Sequence, residues 1–224
     1  MADLRTPGLD VSKFQPSVDW AKVKAAGMQF MFARASYGTS AQTEPTFKAH
    51  WQGAKAAGLI RGAYHFFVPA DDAGAQATLF LSQMKSALAP GETDYLPAVI
   101  DVEMELGGVS IANYVAGVKA WIAAVEADPV FQGRKTIVYT TASFWAQLGN
   151  PTGFGDHPLW VADYGQDPPR MPKGWASYAF FQKSESGTVN GIAGKIDVDF
   201  FNGDIDVLTA MTAPLAASSA TPTV

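Results

Sequence analysis

Apolar residues recur along this chain with two periods, one typical of helices and one typical of buried strands. Three segments repeat apolar side chains every three or four residues, so each is predicted to be a helix with one apolar face. We interpret the aromatic residues on these faces as core. The faces are Phe47, Trp51 and Ala54; Ala77, Phe80, Leu81, Met84 and Leu88; and Ile111, Tyr114, Val115, Val118, Ile122 and Val125.

Short apolar runs bounded by turn residues predict eight β-strands. Helical patterns separate the first four strands, a short helix at residues 143–148 follows the fifth, and loops rich in Gly and Pro join the last three. Because no glycine-rich phosphate loop marks a switch point, an α/β barrel with an incomplete ring of helices fits better than an open, doubly wound sheet. The strands are expected at residues 8–12, 30–35, 61–67, 97–103, 135–140, 158–162, 177–182 and 195–200.

A weak internal repeat supports this organisation into βα units. The sequence Lys-Ala-Ala-Gly occurs at residues 24–27 and 55–58, 31 residues apart, each time before a predicted strand. A glycine just after a helix is typical of the C′ position. After Met211 the sequence contains small residues and Pro without a period, so we expect one barrel domain over residues 1–211 and a flexible tail or linker remnant over residues 212–224.

The composition excludes several classes of function. The 224 residues are 48% hydrophobic and 17% charged, as in a globular chain with a large core. Cys is absent, which excludes disulfides and thiolate chemistry. Sixteen Lys and Arg against 21 Asp and Glu give a net charge of −5 without a basic run, which argues against nucleic acid as a partner. We expect a monomer.

Asp101 and Glu103 form an acidic pair at the end of predicted strand 97–103. Residues two apart on a strand share a face, so their Cβ atoms are expected about 6 to 7 Å apart, with Val102 turned into the core. At that distance two charges repel by about 2.5 kcal/mol at an effective dielectric of 20, or roughly two pKa units. One carboxyl should therefore keep its proton near neutral pH, and a proton donor beside a carboxylate can cleave a glycosidic bond. Glu105 is interpreted as a solvated loop residue.

Asp10 and Asp197 add carboxylates from the first and last predicted strands, whose ends meet at one edge of a parallel barrel. Inward-facing carboxylates are costly to bury, so we interpret the four acids as a functional cluster. A metal-dependent hydrolase is an alternative, but no phosphate-binding loop accompanies the cluster, and of three His only His65 ends a strand. The sequence has no Gly-x-Ser-x-Gly motif for a serine nucleophile. We predict no metal ligands and no cofactor.

Aromatic side chains near the same strand ends favour a sugar substrate, because their faces stack on pyranose rings. His65, Gln182 and Asp199 lie at further strand ends and are also candidates for binding the substrate. The aromatic candidates are Tyr37, Tyr64, Tyr139, Trp160, Tyr164 and Trp175.

Seven segments of the chain form an ordered series of motifs. They are GLDVSKFQ at 8–15 with VDW at 18–20, FMFARASYG at 30–38, GAYHFF at 62–67, DVE at 101–103, VYT at 138–140, PLWVADY at 158–164 and GTVNGIAGKIDVDFF at 187–201. This series resembles the glycoside hydrolase family 25 lysozymes, the Chalaropsis-type muramidases. No single segment is decisive, but seven in one order are hard to obtain otherwise.

The resemblance implies a flattened, incomplete TIM-like barrel of (β/α)5(β)3 order. It also implies hydrolysis of the β-1,4 bond between N-acetylmuramic acid and N-acetylglucosamine in bacterial peptidoglycan. The nucleophile would be the N-acetyl group of the substrate, oriented by an aspartate, and a carboxylate nucleophile is the rival. By position, Glu103 matches the general acid, Asp101 the neighbouring carboxylate, Asp10 and Asp197 the supporting acids, and Tyr64, Tyr139 and Trp160 the substrate cleft.

Four residues depart from the family pattern. Phe181 and Lys183 stand in an altered strand segment, Asp163 replaces a frequent His or Gln, and Asp199 replaces a common Asn. We expect Phe181 and Lys183 to change the cleft walls or the subsite preference and Asp199 to add a charge near Asp197, so the four departures bear on specificity and not on the reaction.

A non-catalytic sugar-binding module is the second interpretation, although the intact acidic cluster argues against it. We expect action on the cell wall, on the extracellular or periplasmic side of the membrane. The first 15 residues lack the apolar core of a signal peptide, and no run of 18 apolar residues follows. Release of a phage lysin through a holin pore and earlier removal of a signal are the two explanations left open.

Overall fold

The computed structural model describes residues 5–40 and 44–213. Within these ranges eight strands pair in chain order and close into a barrel, so the predicted α/β barrel is confirmed and the open sheet is wrong. The strands are β1 (Thr6–Val11), β2 (Phe30–Tyr37), β3 (Ile60–Phe66), β4 (Val99–Asp101), β5 (Ile137–Thr141), β6 (Leu159–Ala162), β7 (Phe180–Gly187) and β8 (Ile196–Phe201). The helices are α1 (Trp20–Ala25), α2 (Phe47–Ala56), α3 (Ala73–Ala87), α4 (Ile111–Ala127), α5 (Ala142–Gln147) and α6 (Ile205–Ala210).

A helix follows each of the first five strands, and α6 follows β8. Over the described part of the chain, no helix lies between β6 and β7 or between β7 and β8. The flattening of the barrel and the domain boundary at residue 211 stay predictions. Most of the predicted tail, residues 214–224, lies outside the described residues.

The last strand runs against its two neighbours. Strands β1 to β7 pair in parallel, whereas β8 is antiparallel to both β7 and β1. Asp197 therefore lies near the start of its strand and not, as a parallel barrel would place it, near the end. The reversed direction still brings Asp197 directly opposite Asp10 at the carboxyl edge of β1.

Local sequence signals explain where the helices begin and end. Asp72 caps α3 by accepting a hydrogen bond from the Ala75 amide, and Ser110 caps α4 through the Asn113 amide. The two repeated glycines, Gly27 and Gly58, follow α1 and α2 with φ angles of 98° and 73°. Only glycine adopts this left-handed conformation freely, which confirms the C′ interpretation of the repeat.

The core has two layers, because successive residues of each strand face opposite sides of the barrel. Phe30 and Phe32 point inward, where Phe32 stacks on Trp160 with ring centroids 4.5 Å apart. Met31 and Ala33 point outward and pack with the apolar helix faces. The interior is thus filled by side chains, which leaves the barrel edges for a binding site.

The structure differs from several predicted elements, and β7 runs to Gly187 where its predicted strand ends at residue 182. Strand β4 covers only Val99–Asp101, so Glu103 lies two residues beyond the strand and not on it. Helix α6 was not predicted, and its buried Leu208 packs into the inner core layer. Ile111, assigned to an apolar helix face, is 41% exposed at the start of α4. None of the helices in the described ranges is both long and apolar enough to span a lipid bilayer.

Candidate active site

A cavity of about 210 Å³ opens at the carboxyl edge of the barrel. The four predicted acids Asp10, Asp101, Glu103 and Asp197 all face it, so residues from three distant parts of the sequence meet there. The other lining residues are Ser12, Phe14, Arg34, Tyr64, Phe66, Tyr139, Trp160, Tyr164, Gln182 and Glu185.

Backbone hydrogen bonds to the neighbouring segments on either side fix the end of β4. The Asp101 carbonyl accepts from the Phe67 amide at 3.1 Å, and the Val102 amide donates to the Tyr139 carbonyl at 2.9 Å. Val102 is fully buried in the outer core layer, as predicted. Asp101 and Glu103 are therefore presented to the cavity from either side of an anchored residue.

The two carboxyls of this pair differ in exposure. Asp101 is 5% exposed, whereas Glu103 is open to solvent at the mouth of the cavity. Burial, followed by the charge of Glu103, raises the pKa of Asp101 well above its ordinary value. Burial among its neighbours and then the charge of Asp197 raise the pKa of Glu103, while the Arg34 guanidinium opposes the rise. The charge of Glu103 thus acts on Asp101, whereas the charge that acts on Glu103 is that of Asp197; which carboxyl of the pair keeps a proton stays a prediction.

One oxygen of Asp101 has no partner. Its Oδ1 is buried and accepts no hydrogen bond from any of the described residues. A buried acceptor without a donor costs about 1 to 3 kcal/mol. Because Asp101 lines the cavity, a bound molecule with an N–H or O–H group can supply the missing donor.

Gln182 connects Asp10 to two tyrosines. Its Oε1 accepts hydrogen bonds from the hydroxyls of Tyr139 and Tyr164 at 2.8 and 2.7 Å. This fixes the amide orientation, so Nε2 donates to Asp10 Oδ2 at 2.7 Å. Burial, followed by the charge of Asp197, raises the pKa of Asp10, and the Gln182 hydrogen bond works in the opposite direction.

Arg34 is the one cation among the described residues that line the cavity. It lies on β2 in an otherwise apolar run, and its Nε donates to Glu44 Oε1 at 2.5 Å. Glu44 also accepts from the Lys13 amide at 3.0 Å, which anchors the loop after β1. Sequence reasoning missed Arg34, although a charged residue inside the segment FMFARASY is itself a signal.

Aromatic side chains form much of the cavity wall. Tyr64, Tyr139, Trp160 and Tyr164 face the cavity as expected. Phe14 was missed: it follows β1, lines the cavity and is 72% exposed, which is unusual for a large apolar ring. Its place directly after the strand that carries Asp10 is the signal that could have identified it.

His65 does not reach the cavity, and its assignment to the substrate cleft is wrong. The side chain is fully buried and hydrogen-bonds Ser36 Oγ at 2.8 Å and Gln76 Oε1 at 2.9 Å. Its ring stacks on Trp121 between barrel and helices, and burial lowers its pKa to about 4. Since Tyr64 faces inward, the period of two along a strand turns His65 outward.

Two further substrate candidates lie behind the cavity wall, which corrects their assignment. Tyr37 stacks on Phe66 with ring centroids 4.7 Å apart and does not itself line the cavity. Asp199 is fully buried, and its Oδ1 accepts from Trp160 Nε1 at 3.0 Å. Both residues therefore support groups that line the cavity.

The other departures from the family pattern also lie away from the cavity wall, so they do not change it as expected. Phe181 is buried in the outer core layer. Lys183 donates to Asp167 Oδ2 at 2.7 Å. Asp163 accepts hydrogen bonds from the side chain of Arg170.

The fold and the cavity define a glycoside hydrolase, because protonatable carboxyls and aromatic walls meet at the catalytic edge of an α/β barrel. Across the described ranges, no group of three or more His, Asp or Glu side chains is arranged to hold a metal ion. The family model described as "Glycosyl hydrolases family 25" matches residues 9–192. The chain belongs to this family, as its motifs indicated.

Comparisons with individual proteins agree with this assignment. The chain is 36% identical to Lysozyme M1 of Streptomyces globisporus, over 91% of this chain and 70% of that protein. It is 35% identical to the N,O-diacetylmuramidase of Chalaropsis sp, over 90% of this chain and 96% of that one. The crystal structure of a bacterial lysozyme from Streptomyces coelicolor superposes with a TM-score of 0.84 at 34% identity, covering 94% of this chain and 98% of the other.

Proposed function

We propose that this enzyme hydrolyses the β-1,4 bond between N-acetylmuramic acid and N-acetylglucosamine in bacterial peptidoglycan. Relatives named lysozyme and N,O-diacetylmuramidase support the choice of substrate. The observation that carries the proposal is the pair at the end of β4. Glu103 is an acid open to the cavity, and Asp101 beside it is a buried carboxyl with an unpartnered oxygen.

Glu103 is the general acid in this proposal. Its raised pKa favours the protonated carboxyl, and its exposure lets it reach the bond. The proton passes to the glycosidic oxygen as the C1–O bond breaks, so the departing sugar leaves with a 4-hydroxyl group. The resulting Glu103 carboxylate then accepts a proton from the water that attacks C1 in the second step.

Asp101 orients the N-acetyl group of the substrate. The acetamido N–H would donate to its unpartnered Oδ1, and this turns the acetamido oxygen toward C1. That oxygen attacks C1 and forms an oxazolinium ion, whose positive charge the Asp101 carboxylate stabilises. The charged form of Asp101 is favoured before the bond breaks, because protonation of Glu103 removes one of the charges that raise the pKa of Asp101, and the acetamido N–H donates to the carboxylate. A direct attack by Asp101 on C1 is the rival, and it leaves a covalent glycosyl-enzyme in place of the oxazolinium ion.

The remaining groups of the cavity hold this arrangement. Burial raises the pKa values of the pair, and the charge of Asp10 adds to the rise for Asp101 and that of Asp197 to the rise for Glu103. Gln182 holds Asp10, and the exposed rings of Phe14 and Tyr164 offer faces for sugar stacking at the mouth.

The enzyme is proposed to act as a monomer on the cell wall, outside the cytoplasmic membrane, without nucleic acid as a partner. The family supports the wall as the place of action. Release through a holin pore stays a prediction.

The test is digestion of purified peptidoglycan, with mass spectrometry of the soluble fragments. We expect new reducing-end N-acetylmuramic acid from the wild type and none from Glu103→Gln. Binding to the wall without cleavage would establish a sugar-binding module instead. Loss of activity in EDTA with recovery on adding Mg²⁺ would establish a metal-dependent hydrolase.

A further inference from the structure

Asp199 is a buried carboxyl that nothing in the proposed mechanism uses. Its side chain is fully buried on β8, below the cavity. Oδ1 accepts a hydrogen bond from Trp160 Nε1 at 3.0 Å. Oδ2 is buried as well and receives no hydrogen bond from the described residues.

The strand register places Asp199 between the groups of the site. It lies opposite Gly8 on β1 and opposite Gln182 on β7. Gly8 has no side chain, and the Phe30 ring lies over it, 2.5 Å from where a Cβ would be. Asp10 follows two residues further along the same face, so Asp199 and Asp10 are diagonal neighbours across the paired strands. The carboxyls of these two neighbours interact closely enough for each to shift the pKa of the other, and Asp199 Oδ2 is the oxygen without a donor.

Two carboxylates in contact offer four acceptor oxygens and no donor. Gln182 supplies one donor to Asp10 and Trp160 supplies one to Asp199, which leaves the contact between the two carboxyls without a hydrogen. A single proton on one of them satisfies the contact and removes one buried charge. Asp10 is the better anion of the two, because it faces the cavity and already accepts from an amide.

We propose that Asp199 is a positioning residue that carries this proton and donates it to Asp10. The Trp160 indole, Asp199, Asp10 and Gln182 then form one continuous chain of hydrogen bonds below the cleft. The chain fixes the Asp10 carboxylate and holds the Trp160 ring in the cavity wall.

The charges around Asp199 agree with this assignment. Burial, followed by the charges of Asp10 on β1 and Asp197 on β8, raises its pKa well above the ordinary value. The contacts from β6 and β7 come from Trp160 and Gln182, which do not titrate. Both charged groups that act on Asp199 are acidic, and both favour the protonated form.

The inference deepens the proposed function and rests on it only for its kinetic part. When Asp199 loses its proton at higher pH, two anions face each other below the cleft, so Asp10 is pushed out of position. We expect this to add a fall in kcat on the alkaline side of the pH profile. Asn at this position can accept from Trp160 through its oxygen and donate to Asp10 through its amide at any pH.

The experiment compares wild type, Asp199→Asn and Asp199→Leu. We expect Asp199→Asn to keep kcat within about three-fold of the wild type at the pH of maximal activity and to lose the extra alkaline fall. Asp199→Leu leaves Asp10 and Trp160 without a partner and should lose activity at all pH values. Activity of Asp199→Asn as low as that of Asp199→Leu, or an unchanged alkaline limb, would overturn the proposal.

Infrared difference spectroscopy separates this inference from the proposed function. The wild type minus Asp199→Asn spectrum at neutral pH should contain the carbonyl band of one protonated carboxyl, shifted by exchange into D₂O. This band reports the proton even if the enzyme fails to cleave peptidoglycan. A difference spectrum with only carboxylate bands would contradict the assignment.

Discussion

Buried acids occur at both edges of the barrel, and they differ in what faces them. At the amino edge, Glu92 precedes β4 with a 3% exposed side chain between Arg61 at 2.5 Å and Lys55 at 2.8 Å. At the carboxyl edge, Asp10 and Asp101 are also buried, but other acids surround them. Arg34 is the one cation among the described residues of the cavity lining, and it is paired with Glu44.

The pKa values of the two edges diverge accordingly. Burial alone would raise the pKa of Glu92, but hydrogen bonds from Lys55, the Ala89 amide and Arg61 outweigh it and lower the value to about 2. Asp10 accepts from the neutral Gln182 amide, and neither Asp10 nor Asp101 has a salt-bridge partner among the described residues, so burial and like charges raise their pKa values. Paired acids at the amino edge stabilise the fold, whereas unpaired acids at the carboxyl edge keep protons available for chemistry.

The largest expected effect is on catalysis at the carboxyl edge. Glu103→Gln should lower kcat/KM by about 100- to 10,000-fold, because a positioned proton donor contributes a factor of that size. The variant should be at least as stable as the wild type, since a like charge beside Asp101 is removed. Cell-wall turbidity assays and thermal unfolding measure the two quantities. Glu105→Gln is the control and should leave both unchanged, and a large loss in that variant would contradict its assignment as a bystander.

The converse effect is expected at the amino edge. Arg61→Met removes the fully buried one of the two cationic partners of Glu92, so the free energy of unfolding should fall by about 3 to 5 kcal/mol while kcat stays unchanged below the melting temperature. Lys135→Met is the control, because its partner Glu126 is 3.5 Å away and the lysine is 55% exposed. That variant should change stability by about 0 to 1 kcal/mol in urea denaturation. Equal effects of the two substitutions would remove the distinction between the edges.

The two edges should also give stability an acidic optimum. Burial, followed by the charge of Glu185, raises the pKa of Asp197 to about 6 in the folded state. The stabilisation that Asp197 gives the folded state is therefore complete below its pKa in the unfolded chain and is lost as the pH rises toward 6. The stabilisation that Glu92 gives the folded state is present above its pKa in the unfolded chain and is lost as the pH falls toward 2. We therefore expect the free energy of unfolding to be greatest at about pH 4 to 5.

Urea denaturation across this pH range checks the prediction, with Asp197→Asn as the comparison. The variant should lose part of the decline on the alkaline side of the optimum. A neutral optimum, or the same slope in both proteins, would show that the cleft acids are not destabilised when charged.

The smallest expected effect concerns the rim of the carboxyl edge. Phe14 is exposed beside Arg34, whose guanidinium carbon lies 5.6 Å from the ring centroid. Phe14→Ala should raise KM roughly five-fold, equivalent to about 1 kcal/mol, with kcat unchanged, because stacking binds substrate and transition state alike. Phe14→Tyr keeps the ring and should behave as the wild type. A fall in kcat with constant KM would place the ring near the reacting bond instead.

The fold could be predicted to the extent that local pattern decides it. The long strands β2 and β3 and the helix faces follow from periodicity, and the barrel follows from their order. The direction of β8 could not be predicted, because loops rather than helices join the last strands and pairing between distant segments decides it. Helix α6 is only six residues long and carries a single fully buried side chain, Leu208, so it has no apolar period to detect.

The site residues could be predicted where their place at the end of a strand is enough to bring them to the cavity. Asp10, Asp101 and Glu103 line the cavity because they end the first and fourth strands or follow them. His65 was misassigned because strand ends were read without applying the alternation of faces. The hydrogen bond from Gln182 to Asp10 joins residues 172 positions apart in the sequence. It forms because the barrel closes, and closure cannot be predicted from a local sequence pattern.

The central claim is that the groups around an acid set the direction of its pKa shift, and a carboxyl-detected NMR titration of Glu103 and Glu92 tests it most directly. Both side chains are glutamates with the same ordinary pKa of 4.5. We predict a value above 4.5 for Glu103 and about 2 for Glu92. Equal values, or a Glu103 pKa at or below 4.5, would contradict the account.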